Sequence, residues 1–166
     1  MDPISQPTAN EDRVLVITRT LDAPRELVWR MFSDPFHLAQ WWGPKDFTNP
    51  VCEVDFRVGG HWHHVMRGPD GREYPTDSTF IEIVPPERIV YRNAAPKGGV
   101  WEGNPPPSFV RTITFTEDGG RTTLTLRAAF DSVADRQRAM DRGFKEGTEQ
   151  SYDRLAALLQ TISRRI

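Results

Sequence analysis

An α+β fold is predicted: one sheet of seven antiparallel strands, a long C-terminal helix packed across it, and two short helices between the first and second strands. Three observations predict it. Residues 47–130 alternate apolar and polar side chains with period two, broken by glycine and proline turns. Residues 22–42 and 132–162 instead space their apolar side chains at helical intervals. Every strand connection after the second strand, except that at 95–108, is short enough to join antiparallel neighbours.

Length and composition set the frame. The 166 residues suit a single domain, with 1–12, polar and holding two prolines, reading as a mobile leader and 13–166 as the domain. Lysine and arginine number 21 against 23 acidic residues, a net charge of -2 with no long like-charge block, so nucleic acid is not an expected partner. No apolar run has the length of a membrane span. The lone Cys52 excludes an internal disulfide, and the first residues lack the basic start and apolar run of a signal peptide. A cytoplasmic setting is the resulting expectation.

The elements follow in order. A β-branched run from Val14 alternates with Leu15, Ile17 and Arg19 and predicts a first strand ending near Leu21. Asp22-Ala23-Pro24 then places an acid near a helix start and a proline at its first position, with Leu27, Val28, Met31 and Phe32 at helical spacing. Ser33-Asp34-Pro35 stops that helix and starts another, which carries Trp41 and Trp42. Val54, Phe56 and Val58 alternate with Asp55 and Arg57 on the second strand, and Gly59-Gly60 predicts a two-residue hairpin into a third strand over 61–67. Gly68-Pro69-Asp70-Gly71 turns into a strand ending at Val84, and Pro85-Pro86-Glu87 turns into one over 88–94. Two last strands, 109–116 and 122–130, pair across Glu117-Asp118-Gly119-Gly120.

Ser132, with Asp135 three residues later, caps the predicted final helix, which continues to about Ile162 and would extend roughly 45 Å. Val133, Met140, Phe144, Leu155, Leu158 and Ile162 share one face of it, yet Gly147 and Ser151 on the same face add almost no bulk. A helix that packs at both ends and steps back in the middle is suited to roof a cavity.

Four stretches together carry a resemblance: WWGP at 41–44, VDFRVGGHWHHVMRGPDGREY from Val54, IVPPERIVY from Ile83 and GFKEGTEQSYDRLAALL from Gly143. In this ordered set the chain resembles the activator of heat shock protein 90 ATPase homologues, within the SRPBCC or START-like class that includes birch pollen allergen-like proteins. The likeness spans about 13–162. It implies a helix-grip fold, an apolar cavity between sheet and helix, no metal or other cofactor, and an inward-facing row of Trp62, His64 and Met66.

Candidate site residues follow from both lines. Trp41, Trp42, Trp62 and Trp101 lie near segments that surround such a cavity, although one of the adjacent pair Trp41-Trp42 should be core. Met66, Met140, Phe144, Gly147 and Ser151 complete the apolar lining, while His64, Tyr74 and Tyr91 offer polar groups that could orient a ligand. His64 reads equally well as a core histidine. His61 and His63 share a strand face at a spacing used by metals, but no third ligand stands out and a solvent-facing pair is expected. Asp55 and Arg57 suit an ion pair, and Cys52 a buried thiol. The loop at 95–108, with Trp101 between glycines and prolines, reads either as a lid or as a surface insertion.

Three functions fit. The first is non-catalytic binding of a small hydrophobic or aromatic molecule, such as a lipid or a polyketide. The second, implied by the resemblance, is a chaperone-activating interaction in a stress response. The third is an enzyme of the cyclase, aromatase or hydratase type, for which His64 or Glu82 would move protons. Ligand identity and oligomeric state are not legible.

Overall fold

Alternation along β1 (Val14–Leu21) turns Leu15, Ile17 and Leu21 into the interior and leaves Val16 outside. In the computed structural model, which describes residues 11–94 and 107–163, the chain continues through α1 (Arg25–Ser33), α2 (Pro35–Trp41), β2 (Thr48–Val54), β3 (His61–Arg67), β4 (Glu73–Val84) and β5 (Arg88–Ala94). There follow β6 (Phe109–Asp118), β7 (Arg121–Phe130), α3 (Val133–Asp141) and α4 (Phe144–Ser163). The described strands form one antiparallel sheet in the order β1-β7-β6-β5-β4-β3-β2. First and last strands therefore pair, and α1 and α2 carry the chain from one sheet edge to the other.

The helix-grip arrangement follows from which faces are apolar. Ile113 and Phe115 of β6, Leu124 and Leu126 of β7, Ile89 of β5 and Phe80 of β4 share one buried cluster with Leu155 and Leu159 of α4. Trp41, fully buried, donates its indole N–H to the Met31 carbonyl at 3.0 Å and so locks α2 to α1. A smaller cluster of Leu15, Phe109, Ala128, Phe130 and Ala139 forms under α3. Among the described residues no helix is long and apolar enough to cross a membrane.

Several expectations are corrected. Pro24 is the N-cap of α1 rather than its first helical residue. Strand β2 stops at Val54, so Asp55, Phe56, Arg57 and Val58 belong to a turn over 55–60 and not to a two-residue hairpin. The Asp55 carbonyl approaches so near Gly60 that a Cβ there would lie 2.1 Å from it, which only glycine allows. Asp55 and Arg57 do pair, at 2.8 Å, but within that turn.

The long final helix is in fact two. Ser132 caps α3 by accepting from the Asp135 amide at 3.0 Å, as its spacing suggests, but Gly143 takes φ +85° and breaks the helix before α4 begins. The break resets the helical phase between the two helices, and Val133 is 54% exposed instead of sharing the apolar face; within α4 the buried stripe is wider than predicted and takes in Tyr152 and Leu159.

Candidate functional site

A cavity of about 270 Å³, partly open to solvent, lies where α4 leaves the sheet uncovered between the two apolar clusters. Sheet residues Met66, Phe109 and Arg111 form its inner wall, while Phe144, Gly147, Thr148, Ser151 and Tyr152 of α4 form the opposite one. Trp42, Gly43 and Pro44 close one side, and Pro107 with Ala139 and Arg142 the other. A Cβ on Gly147 would meet Pro44 Cγ at 3.6 Å, so this glycine faces the loop across the cavity wall.

Helix α4 holds that loop by hydrogen bonds. Ser151 Oγ accepts from the Gly43 amide at 2.9 Å, and Gln150 Oε1 from the Lys45 amide at 3.0 Å. Arg154 Nη1 donates to the carbonyls of Trp42, Gly43 and Pro44 at 3.0, 3.0 and 3.1 Å, and Nη2 to that of Gln40 at 3.4 Å. The carbonyls at the end of α2 thus find a cation where the helix dipole favours one. Ser151 serves the site through its small size and its oxygen together.

Behind the lining runs an aromatic stack. The Trp42 ring meets Trp62 edge-on at 4.7 Å, Trp62 stacks on His64 at 4.5 Å, and Trp62 meets Tyr91 at 5.5 Å. Burial drives the His64 pKa down from 6.5 to about 3, with the positive charges of Arg111 and His63 acting the same way, so the imidazole is neutral near neutral pH. Burial raises the hydroxyls of Tyr91 and Tyr152 above the ordinary phenol range, although Arg111 pulls both back. Burial likewise raises the half-buried Cys52 thiol.

Of the residues singled out from sequence, Trp42, Met66, Phe144, Gly147 and Ser151 line the cavity together. Trp62, His64 and Tyr91 lie one layer behind, and Trp41 is core. Tyr74 packs on Phe47 at 6.1 Å, outside the lining, and Met140, on α3, packs against the smaller cluster. Glu82 is hydrogen-bonded to Arg88 and does not reach the cavity. Trp101 lies outside the described residues. On the outer face His63 meets Asp77 at 2.6 Å and His61 meets Thr79 at 3.3 Å; no group of three potential metal ligands occurs among the described residues.

Among the site residues that the sequence reading leaves out are Arg111, Phe109, Tyr152 and Arg154. Arg111 carried a usable signal. In Phe109-x-Arg111-x-Ile113-x-Phe115 the alternation assigns it an inward position among residues that are otherwise apolar.

Comparison with known proteins agrees with this architecture. A family model described as Activator of Hsp90 ATPase homolog 1-like protein matches residues 22–160. No curated protein matches the sequence. Among solved structures, a protein from Nitrosomonas europaea is 25% identical over 92% of this chain and 97% of its own, with a TM-score of 0.81. One from Mycobacterium smegmatis is 27% identical over 92% and 94%, with a TM-score of 0.80. CalU16 from Micromonospora echinospora, 22% identical over 92% and 79% with a TM-score of 0.62, shares the fold.

Proposed function

The chain belongs to the Activator of Hsp90 ATPase homolog 1-like protein family, and from that premise we propose that its cavity takes up a small apolar or aromatic molecule without transforming it. The observation that carries the reading is the space of about 270 Å³ between α4 and the sheet, kept open where Gly147 and Ser151 replace bulky side chains. Trp42, Phe109 and Phe144 offer flat apolar walls suited to an aromatic or acyl body. A neutral His64 with a pKa of about 3 is a poor proton carrier near pH 7, and Glu82 is engaged with Arg88 outside the cavity, so binding is favoured over catalysis.

Burying roughly 300 Å² of apolar surface at about 25 cal/mol per Å² supplies about 7.5 kcal/mol, against several kcal/mol for lost freedom of motion. Apolar contact alone therefore gives weak binding, and a directional contact sets the rest.

The reading is tested with 2-naphthamide, a neutral flat probe, followed by calorimetry and by quenching of tryptophan fluorescence. Wild type binds it. Gly147→Leu places an isobutyl group in the cavity and loses at least about tenfold in affinity, while its circular dichroism and melting temperature hold because leucine favours a helix over glycine. Unchanged affinity in a folded Gly147→Leu protein would overturn the proposal.

A further inference from the structure

Among the described residues Arg111 has no carboxylate partner. Its strand delivers it to an inward position beside the buried Phe109, Ile113 and Phe115, where its guanidinium carbon sits over four rings. The centroids of Phe109, Trp42, Phe144 and Tyr91 are 5.0, 5.1, 5.5 and 5.6 Å away. Nη1 donates to the Tyr91 hydroxyl at 2.9 Å, but Nε is buried with no hydrogen-bond partner. By contrast Arg19, Arg57, Arg67, Arg88 and Arg138 each hold a carboxylate within hydrogen-bonding distance. No carboxylate among the described residues pairs with Arg111.

A guanidinium stays charged at any working pH, and a charge taken out of water without a partner is destabilising. Ring faces recover part of that loss, and they also leave only the in-plane edge of the guanidinium for further contacts. Tyr91 accepts from Nη1 and Nε has no accessible surface, so the remaining Nη hydrogens of the guanidinium are left for an acceptor in the cavity that Arg111 lines, such as a carboxylate oxygen.

We infer that Arg111 receives the carboxylate of an amphipathic acid whose apolar body lies along Trp42, Phe109 and Phe144. This inference rests on the cavity proposed above and names the class of its ligand. One part-buried cation on the inner wall calls for one negative charge, and apart from the exposed Arg142 the lining is mostly apolar, through Trp42, Pro44, Met66, Phe109 and Phe144, which favours an acyl or aromatic body over a polar metabolite.

Two matched probe pairs decide it: 2-naphthoic acid against 2-naphthamide, and decanoic acid against decan-1-ol, titrated by calorimetry at about pH 8 where both acids are ionised. In wild type each acid binds at least about tenfold more tightly than its neutral partner. Arg111→Met, similar in length but apolar, brings the acid down to the level of the neutral probe. The readout in that variant is the ratio of acid to neutral-probe affinity, which falls to about one, because Arg111 itself forms part of the cavity wall. Equal binding of acid and neutral probe in wild type overturns the role of Arg111 and leaves the cavity proposal standing, a comparison that needs no variant to fold. An acid preference that survives Arg111→Met overturns it equally. Failure of all four probes to bind overturns both proposals.

Discussion

His64 shows how one side chain links burial to pH. Its imidazole stacks on Trp62, 4% exposed, with Nδ1 buried and unpartnered. The folded pKa of about 3 lies below the ordinary 6.5, so in the interval between them the unfolded chain binds a proton that the folded chain refuses. Stability from this group is therefore whole above about pH 6.5 and declines as pH falls toward 3, with a slope near 1.4 kcal/mol per pH unit at its steepest. His64→Phe keeps a flat ring at the same place and removes the proton. Urea unfolding of the variant from pH 7 to 4 is expected to show a shallower acid limb with little change at pH 7, and identical slopes would mean that His64 is not buried as a neutral ring. Inward placement of His64 is legible from the resemblance that turns Trp62 and Met66 inside. The absence of a partner is not, because it depends on what the neighbouring strands set opposite the ring.

At the scale of elements, the loop over 42–45 depends on α4 for its shape. Arg154 collects the carbonyls of Gln40, Trp42, Gly43 and Pro44, a task that its planar fork can perform and a point charge cannot. Arg154→Met leaves those carbonyls to water and frees the wall that holds Trp42. Hydrogen bonds to a charged donor contribute about 1.5–3 kcal/mol, less here because the side chain is partly exposed, so a melting temperature lower by roughly 3–6 °C and weaker binding of 2-naphthamide are expected. Arg154→Lys should recover only a fraction of either, and full recovery would show that charge rather than shape matters. Strands and short helices were readable from periodicity and turn residues, down to Ser132 as a cap. Besides the start of α1 at Pro24, two boundaries set by glycines were not. Gly143 looks like a tolerated helical glycine until its left-handed φ is seen, and Gly59-Gly60 mimics a tight hairpin although the Asp55 carbonyl demands the space beside Gly60. At Gly60 the crowding comes from the backbone of the turn itself, and at Gly143 from a left-handed φ, and each overrides a valid local signal.

For the whole molecule, the position of the cavity matters more than its size. The larger cluster joins α1, α2 and α4 to the sheet, the smaller one lies under α3, and Phe144 packs against both. A ligand that touches Trp42 and Met66 on one side and Phe109 and Phe144 on the other therefore ties the two together. Because it binds the folded chain and not the unfolded one, it should stabilise the domain as a unit, by about 2.7 kcal/mol when free 2-naphthoate is at a hundredfold excess over its Kd. For a chain of this length that corresponds to a rise in melting temperature of roughly 5–10 °C. One transition should move upward without splitting, since both clusters gain the same contact, and the shift should grow with the logarithm of probe concentration. Gly147→Leu, with the space already filled, should not move. A wild-type transition that splits, with only part of the signal shifting, would place the ligand on one cluster alone and away from the junction that Phe144 spans.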